Sequence, residues 1–418
     1  MSNANPAAPP TQQARGYSAG FWAVAFAFLI VMAFATLPSP LYGLYRTRDD
    51  LSAFTITVVY AIFAAGTIAA LRSVPFIAAR IGRRGVMLGA VATMIVAAGV
   101  LAAWKALPGL LVGRLITGVS VGLAAGTAIT YLIELRLRDD PSASPIPARN
   151  IGTAVNVGAL GIGPLVAGFL AQWVSHPLTV PYLLVVALGV IALIGLAAAP
   201  ETGTRNPAPT AQNRPSGSSD SIRILVPAAA TTLAAFSANG LFAGLSGLFL
   251  AATLHHPSHA LSGATLFLVF SAGVIAQLAT TRLSASRVLV LGTVSMLVGL
   301  VLLVTAVRLS TPSLALFLIS GALIGAGAGA VFKGTTGLVL AATPPEGRLA
   351  ITSDLLIALF VGLSIPVIGA GIALDRGANA PDTVLGFAIV VAVGVAGAGT
   401  LLGRELRSRG QTQGATNG

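Results

Sequence analysis

Apolar runs of about 20 residues recur along the whole chain, and each is long enough to cross a ~30 Å hydrocarbon core as a helix. They fall at 19–42, 53–75, 85–104, 108–132, 149–173, 180–199, 224–252, 262–281, 287–307, 313–340, 350–374 and 382–403, here called spans 1 to 12. The 418 residues are 55% hydrophobic and 9% charged, whereas a water-soluble protein carries roughly 25% charged residues. Mean hydropathy is +0.89. The expectation is an all-α membrane protein, with no segment that reads as a separate soluble domain.

Cysteine is absent, which excludes disulfides, thiolate metal sites and cysteine nucleophiles. The net charge of +12 belongs with loop arginines that fix topology rather than with nucleic acid. Residues 1–18 are polar and Pro/Ala-rich, followed by a full-length apolar run. They read as a disordered cytoplasmic tail before a retained first helix, since a cleavable signal has a shorter apolar core.

With the N-terminus cytoplasmic, basic residues favour the inside by roughly three to one, which sets the expected orientation, with both termini inside. Residues 200–223 form a polar segment rich in Pro, Ser and Gly that cannot build a core. This cytoplasmic linker separates a six-helix bundle at 19–199 from another at 224–403, with a cytoplasmic tail at 404–418. Six and six joined flexibly is the arrangement of a transporter that rocks two halves about a central site.

A repeat supports that division. Span 4 carries Arg114, Gly118, Gly122 and Gly126 at four-residue spacing, and span 10 carries Gly321, Gly325, Gly329, Lys333 and Gly337 likewise. Residues four apart share a helix face, and small ones let helices approach closely. Registering Gly118 and Gly122 on Gly325 and Gly329 places the two charges at opposite ends of equivalent stripes.

Between spans 2 and 3 stands "PFIAARIGRRG", 75–85; "RLITGVSVG" lies in span 4, "GALGIGPLVAG" in span 5, and "PET", 200–202, closes span 6. In that order these resemble the motifs of the major facilitator superfamily, and "LPSPLYGLY", 37–45, and "VYAIFAAG", 59–66, look like its bacterial drug-efflux branch. The resemblance covers essentially the whole chain. It implies twelve transmembrane helices in two pseudo-symmetric six-helix bundles, a bacterial inner-membrane location and transport by alternating access.

In the family, the loop formed here by Arg80, Gly82, Arg83 and Arg84 latches one conformation by engaging helix ends of the other half; the alternative is a positive-inside anchor. Pro75 and Ala79 replace the motif's glycine and aspartate, so the latch must be weaker or supplied elsewhere. Gly158, Gly163, Pro164 and Gly168 resemble the kink motif of antiporters, and packing alone is the competing reading.

Charges at membrane depth line cavities or pair with one another. Arg114 either faces the cavity or helps proton transfer, as the resemblance implies, or hydrogen-bonds backbone carbonyls of span 1 or 5. Lys333 and Asp354 lie at matching depths and are expected to pair; alternatively Asp354 meets Arg80 or Arg83, and Lys333 snorkels to the interface. Glu134 is an interfacial residue or a proton relay. Asn156, Asn239, Thr335 and the Pro38-Ser39-Pro40 break are softer lining candidates, and Phe236 and Phe332 contact cargo or neighbouring helices. "HHPSH", 255–259, lies in one outer loop without an added ligand, so no metal and no cofactor is expected.

The function expected is proton-coupled export of small amphipathic compounds by a monomer, with a small-molecule substrate, protons and the lipid bilayer as its partners. The alternative is proton-coupled import of a small organic anion held by Arg114 and Lys333. No nucleophile-base-acid constellation suggests an enzyme.

Overall fold

A computed structural model describes residues 12–203, 219–344 and 347–416. Eleven apolar helical segments are long enough to cross a membrane, and one of them, Ala53–Ala103, has 51 residues, about 75 Å if straight. It is not straight. Gly66 packs on Gly118 of span 4, while the hydroxyl of neighbouring Ser120 donates to Ala90 O at 2.7 Å. Positions 66 and 90 therefore lie at one depth, and the chain reverses between them at Gly82, whose φ of 77° and ψ of 173° interrupt the helix. That segment supplies spans 2 and 3, which makes twelve crossings in an all-helical membrane fold.

With an even number of crossings, both chain ends share one side, here called the terminal face; the opposite side is the far face. The N-terminal tail through residue 11 and linker residues 204–218 lie outside the described residues. Span 1 ends at Thr36 rather than at 42. Pro38 and Pro40 lack N–H donors, and a short 3-10 turn, Ser39–Leu41, leads into a helix at Tyr42–Asp49. Span 4 breaks after Ala125 and resumes as Ala128–Asp139. Helix also continues past span 12 as far as Thr416, through the segment expected as a tail.

The glycine stripes pack the second and fourth spans of each half. A side chain on Gly118 would meet Phe63 and Thr67, and one on Gly122 would meet Thr67 and Ala70. Gly325 lies on Val269 and Gly329 on Gly273 in the same way. These span pairs run parallel, so every step of four in one helix is matched by about four in its neighbour. Large apolar side chains such as Val96, Ile194, Val301 and Val393 stay exposed on spans 3, 6, 9 and 12, the faces left for lipid.

Candidate functional site

The two halves are knitted together at the far face. Asp375, ending span 11, accepts from the backbone N–H of Ala53, which opens span 2, at 3.0 Å. Gln172 at the end of span 5 accepts from the Ser258 hydroxyl at 3.2 Å and the His259 N–H at 3.0 Å. The His259 ring nitrogen Nδ1 lies 3.2 Å from Pro40 O. Below this layer Gly168 packs on His259 and Gly263, and Gly371 on Thr57 and Phe54, so backbones approach where side chains would hold the halves apart. At the terminal face the halves meet through an ion pair, Arg72 to Asp354 at 3.9 Å, with side chains 60% and 41% exposed.

Arg114 is buried, at 1% exposure, with its guanidinium 4.6 Å from the Phe63 ring centre and 5.8 Å from that of Tyr60. Its Nη1 donates to Ala35 O at 2.6 Å and Nη2 to Tyr60 O at 3.1 Å. Ala35 O sits in the last turn of Gln12–Thr36, where the helix dipole leaves partial negative charge, and Tyr60 O lies beside the one-residue break at Ile62, after which helix continues from Phe63. Backbone carbonyls of two spans thus hold this cation, and among the described residues no carboxylate pairs with it.

Lys333 and Asp354 do not form the expected pair. Lys333 Nζ donates to Gln277 O and lies 3.3 Å from the Thr280 hydroxyl. The reason lies in the stripe: Gly325 and Gly329 face Val269 and Gly273 on span 8, and the next step of four carries Lys333 to Gln277. Asp354, on span 11, stands on another side and meets Arg72, not Arg80 or Arg83. Arg114 and Lys333 are therefore equivalent in a way their spacing hides, since each donates to a carbonyl on the second span of its own half.

The loop-motif arginines are engaged within their own half. Arg83 Nε donates to both oxygens of Glu134 at 2.8 Å, and Glu134 also accepts from the Thr202 hydroxyl at 2.6 Å. Glu201 receives the backbone N–H groups of Arg83, Arg84, Thr202 and Gly203 at 3.0 to 3.1 Å, capping the helix that starts after Gly82. Arg84 reaches Ala197 O, and the Tyr131 hydroxyl donates to Pro200 O at 2.6 Å. Exposed Arg80 forms no ion pair among the described residues. Glu201 and Thr202 were visible only as a motif ending; their partners Arg83, Arg84 and Glu134 lie more than 60 residues away.

In span 5, Gly163 packs on Ala33 of span 1, Gly158 on Val274 and Gly168 on Gly263. Pro164 has no N–H for the carbonyl of Leu160 four residues back, and that carbonyl instead accepts from the Thr36 hydroxyl at 2.6 Å. Asn156 is 5% and Asn239 2% exposed, and among the described residues their Oδ1 atoms have no hydrogen-bond partner. The same holds for the hydroxyls of Thr335 and Ser364. Phe236 and Phe332 meet edge to face, 5.8 Å between ring centres. No group of three or more metal-ligating side chains occurs among the described residues.

The arrangement has solved counterparts. A crystal structure of a mutant form of the nucleoside transporter NupG superposes with a TM-score of 0.67 at 12% identity, covering 93% of this chain and 99% of that one; at such identity the likeness concerns the fold. No curated protein matches the sequence. The model of the Major Facilitator Superfamily matches residues 24–287, well over half of the chain. With two six-helix halves meeting along one seam, the chain belongs to the Major Facilitator Superfamily of membrane transporters.

Proposed function

We propose that this transporter exports small amphipathic compounds in exchange for protons, by alternating access, as a monomer in a bacterial inner membrane with both termini cytoplasmic. The observation that carries the reading is the asymmetry of the seam. Hydrogen bonds and glycine contacts close the far face, whereas a long, half-exposed ion pair links the halves at the terminal face. In the proposed orientation the closed side is the outside, and the side loosely held is the cytoplasm, from which an exporter loads. The arginine-rich terminal face supports that orientation.

Import of an organic anion would need Arg114 and Lys333 to grip a carboxylate. Both cations already donate to protein carbonyls, which favours the export reading. Asp354 is the carboxylate proposed to respond to protons, since an arginine of the other half holds it and must be released when the terminal face parts; Glu134 is held by Arg83 within its own half. The test is growth of an efflux-deficient host expressing the chain against a toxicant panel. Raised tolerance that an uncoupler abolishes is expected; tolerance unchanged across the panel, or indifferent to the uncoupler, counts against proton-driven export. Exchange acceleration of labelled compound in sealed vesicles separates a carrier from a channel.

A further inference from the structure

A ladder of aromatic rings crosses from one half to the other beneath the far face. Tyr42 meets Tyr60 at 6.4 Å, Tyr60 meets Phe63 at 5.7 Å, and Phe63 meets Phe360 of span 11 edge to face at 6.1 Å. Ser364 lies one turn beyond Phe360, on the same helix face. Gly240 of span 7 packs on the Leu363 backbone, and Gly244 packs on Val367 with the Tyr60 ring close by, which sets Asn239 and Ser364 at neighbouring positions beside the ladder.

Four uncharged polar atoms here are without partners among the described residues: the hydroxyls of Tyr42, Tyr60 and Ser364, and Oδ1 of Asn239. Their residues are 4%, 0%, 0% and 2% exposed. Buried polar groups are nearly always hydrogen-bonded, and leaving one unmade is unfavourable. Clustering four such groups around ring edges, two from each half, is an arrangement that a partner must complete.

We infer that this seam recognises cargo, and that the cargo is a planar, ring-bearing molecule with hydrogen-bonding substituents and no positive charge. The rings supply edge and face contacts of the kind aromatic groups prefer, and the orphaned atoms supply acceptors and hydroxyl donors for its substituents. Water satisfies a hydroxyl but makes no use of the rings. The charge against the ladder is Arg114, beside Phe63 and Tyr60, which repels a cation. Two of its nitrogens are spent on the Ala35 and Tyr60 carbonyls, and its Nε, buried without a partner among the described residues, adds a donor for an acceptor substituent. The inference rests on the transporter reading and specifies its substrate class.

The experiment is thermal unfolding of the purified full chain in detergent with planar compounds of two charge classes: chloramphenicol, caffeine and uridine; ethidium and proflavine. Stabilisation is expected from the uncharged group and not from ethidium or proflavine. Tyr60→Phe and Ser364→Ala should each weaken it roughly tenfold, the effect of one hydrogen bond, while the ligand-free Tm stays unchanged or rises because an unsatisfied group has gone. The inference is overturned if no uncharged compound stabilises, if the cationic compounds do so equally, or if both variants bind normally. A fall in the ligand-free Tm of Tyr60→Phe also overturns it, by showing a structural role for the hydroxyl. Binding is read without transport, so an error in direction or proton coupling leaves this result intact.

Discussion

Gly82 and Glu201 occupy one another's space: a side chain at Gly82 would overlap the Glu201 carboxylate. Gly82 also adopts φ 77° and ψ 173°, a region essentially restricted to glycine. The sharp reversal between spans 2 and 3 and the cap on span 3 are therefore one construction. Gly82→Ala should cost about 1–3 kcal/mol from backbone strain alone, and the displaced cap adds to it. Thermal unfolding in detergent measures this, and an unchanged Tm would show that the loop does not depend on the interlock. Glu201→Gln keeps the shape and removes the charge, so its loss should be smaller.

Arg114→Lys tests whether this cation is structural. Lysine keeps the charge but not the planar fork that spans two carbonyls. The variant should leave Ala35 O or Tyr60 O unsatisfied, lowering stability by about 1–3 kcal/mol. If Arg114 instead contacts cargo, the apparent KM should rise while the Tm holds.

The number of crossings and the glycine stripes were legible because hydropathy and four-residue spacing are local signals. What the stripe faced was not. Lys333 and Asp354 share a depth, and depth alone suggested a pair; helix rotation decides, and the rotation is fixed by Gly325 and Gly329 against span 8. The carboxylate missing at Ala79 pointed toward the other half for a substitute, yet Glu201 and Glu134 supply carboxylates from within the same half. Thr36 answering the carbonyl freed by Pro164 is a contact over more than 120 residues, for which sequence spacing carries no signal.

Neutralising Lys333 and Asp354 should give independent effects. Lys333 meets Gln277 and Thr280, whereas Asp354 meets Arg72 across the seam. Lys333→Gln and Asp354→Asn, alone and combined, are expected to lower transport additively, within about 0.5 kcal/mol in a double-mutant cycle. A larger coupling would mean that the two meet in another state of the transport cycle.

Exchanging the charges of Arg72 and Asp354 should show whether the terminal-face contact guides the cycle. An exposed pair at 3.9 Å contributes about 0–1 kcal/mol to stability, so Arg72→Asp or Asp354→Arg alone should barely change the Tm. Each places like charges across the seam and should slow counterflow, while the double exchange restores opposite signs and should recover it. Recovery failing while the protein stays folded would place the function of Asp354 in its carboxylate rather than in the pair.

Locking the far face is the sharpest test of the two-half mechanism, and the chain's lack of cysteine makes it clean. Gly43 and His259 come from opposite halves and lie close, with a side chain on Gly43 3.9 Å from the His259 ring. Gly43→Cys with His259→Cys, joined by a short bis-maleimide, should fix the halves where Asp375 caps Ala53 and Gln172 holds His259. Counterflow should fall to background and return when a cleavable linker is cut, because a carrier must part this face once per cycle. Each single-cysteine variant treated alike should keep its rate, which separates locking from damage to the site. Undiminished exchange in the cross-linked protein would mean that cargo crosses without the far face opening, and alternating access would be the wrong mechanism for this chain.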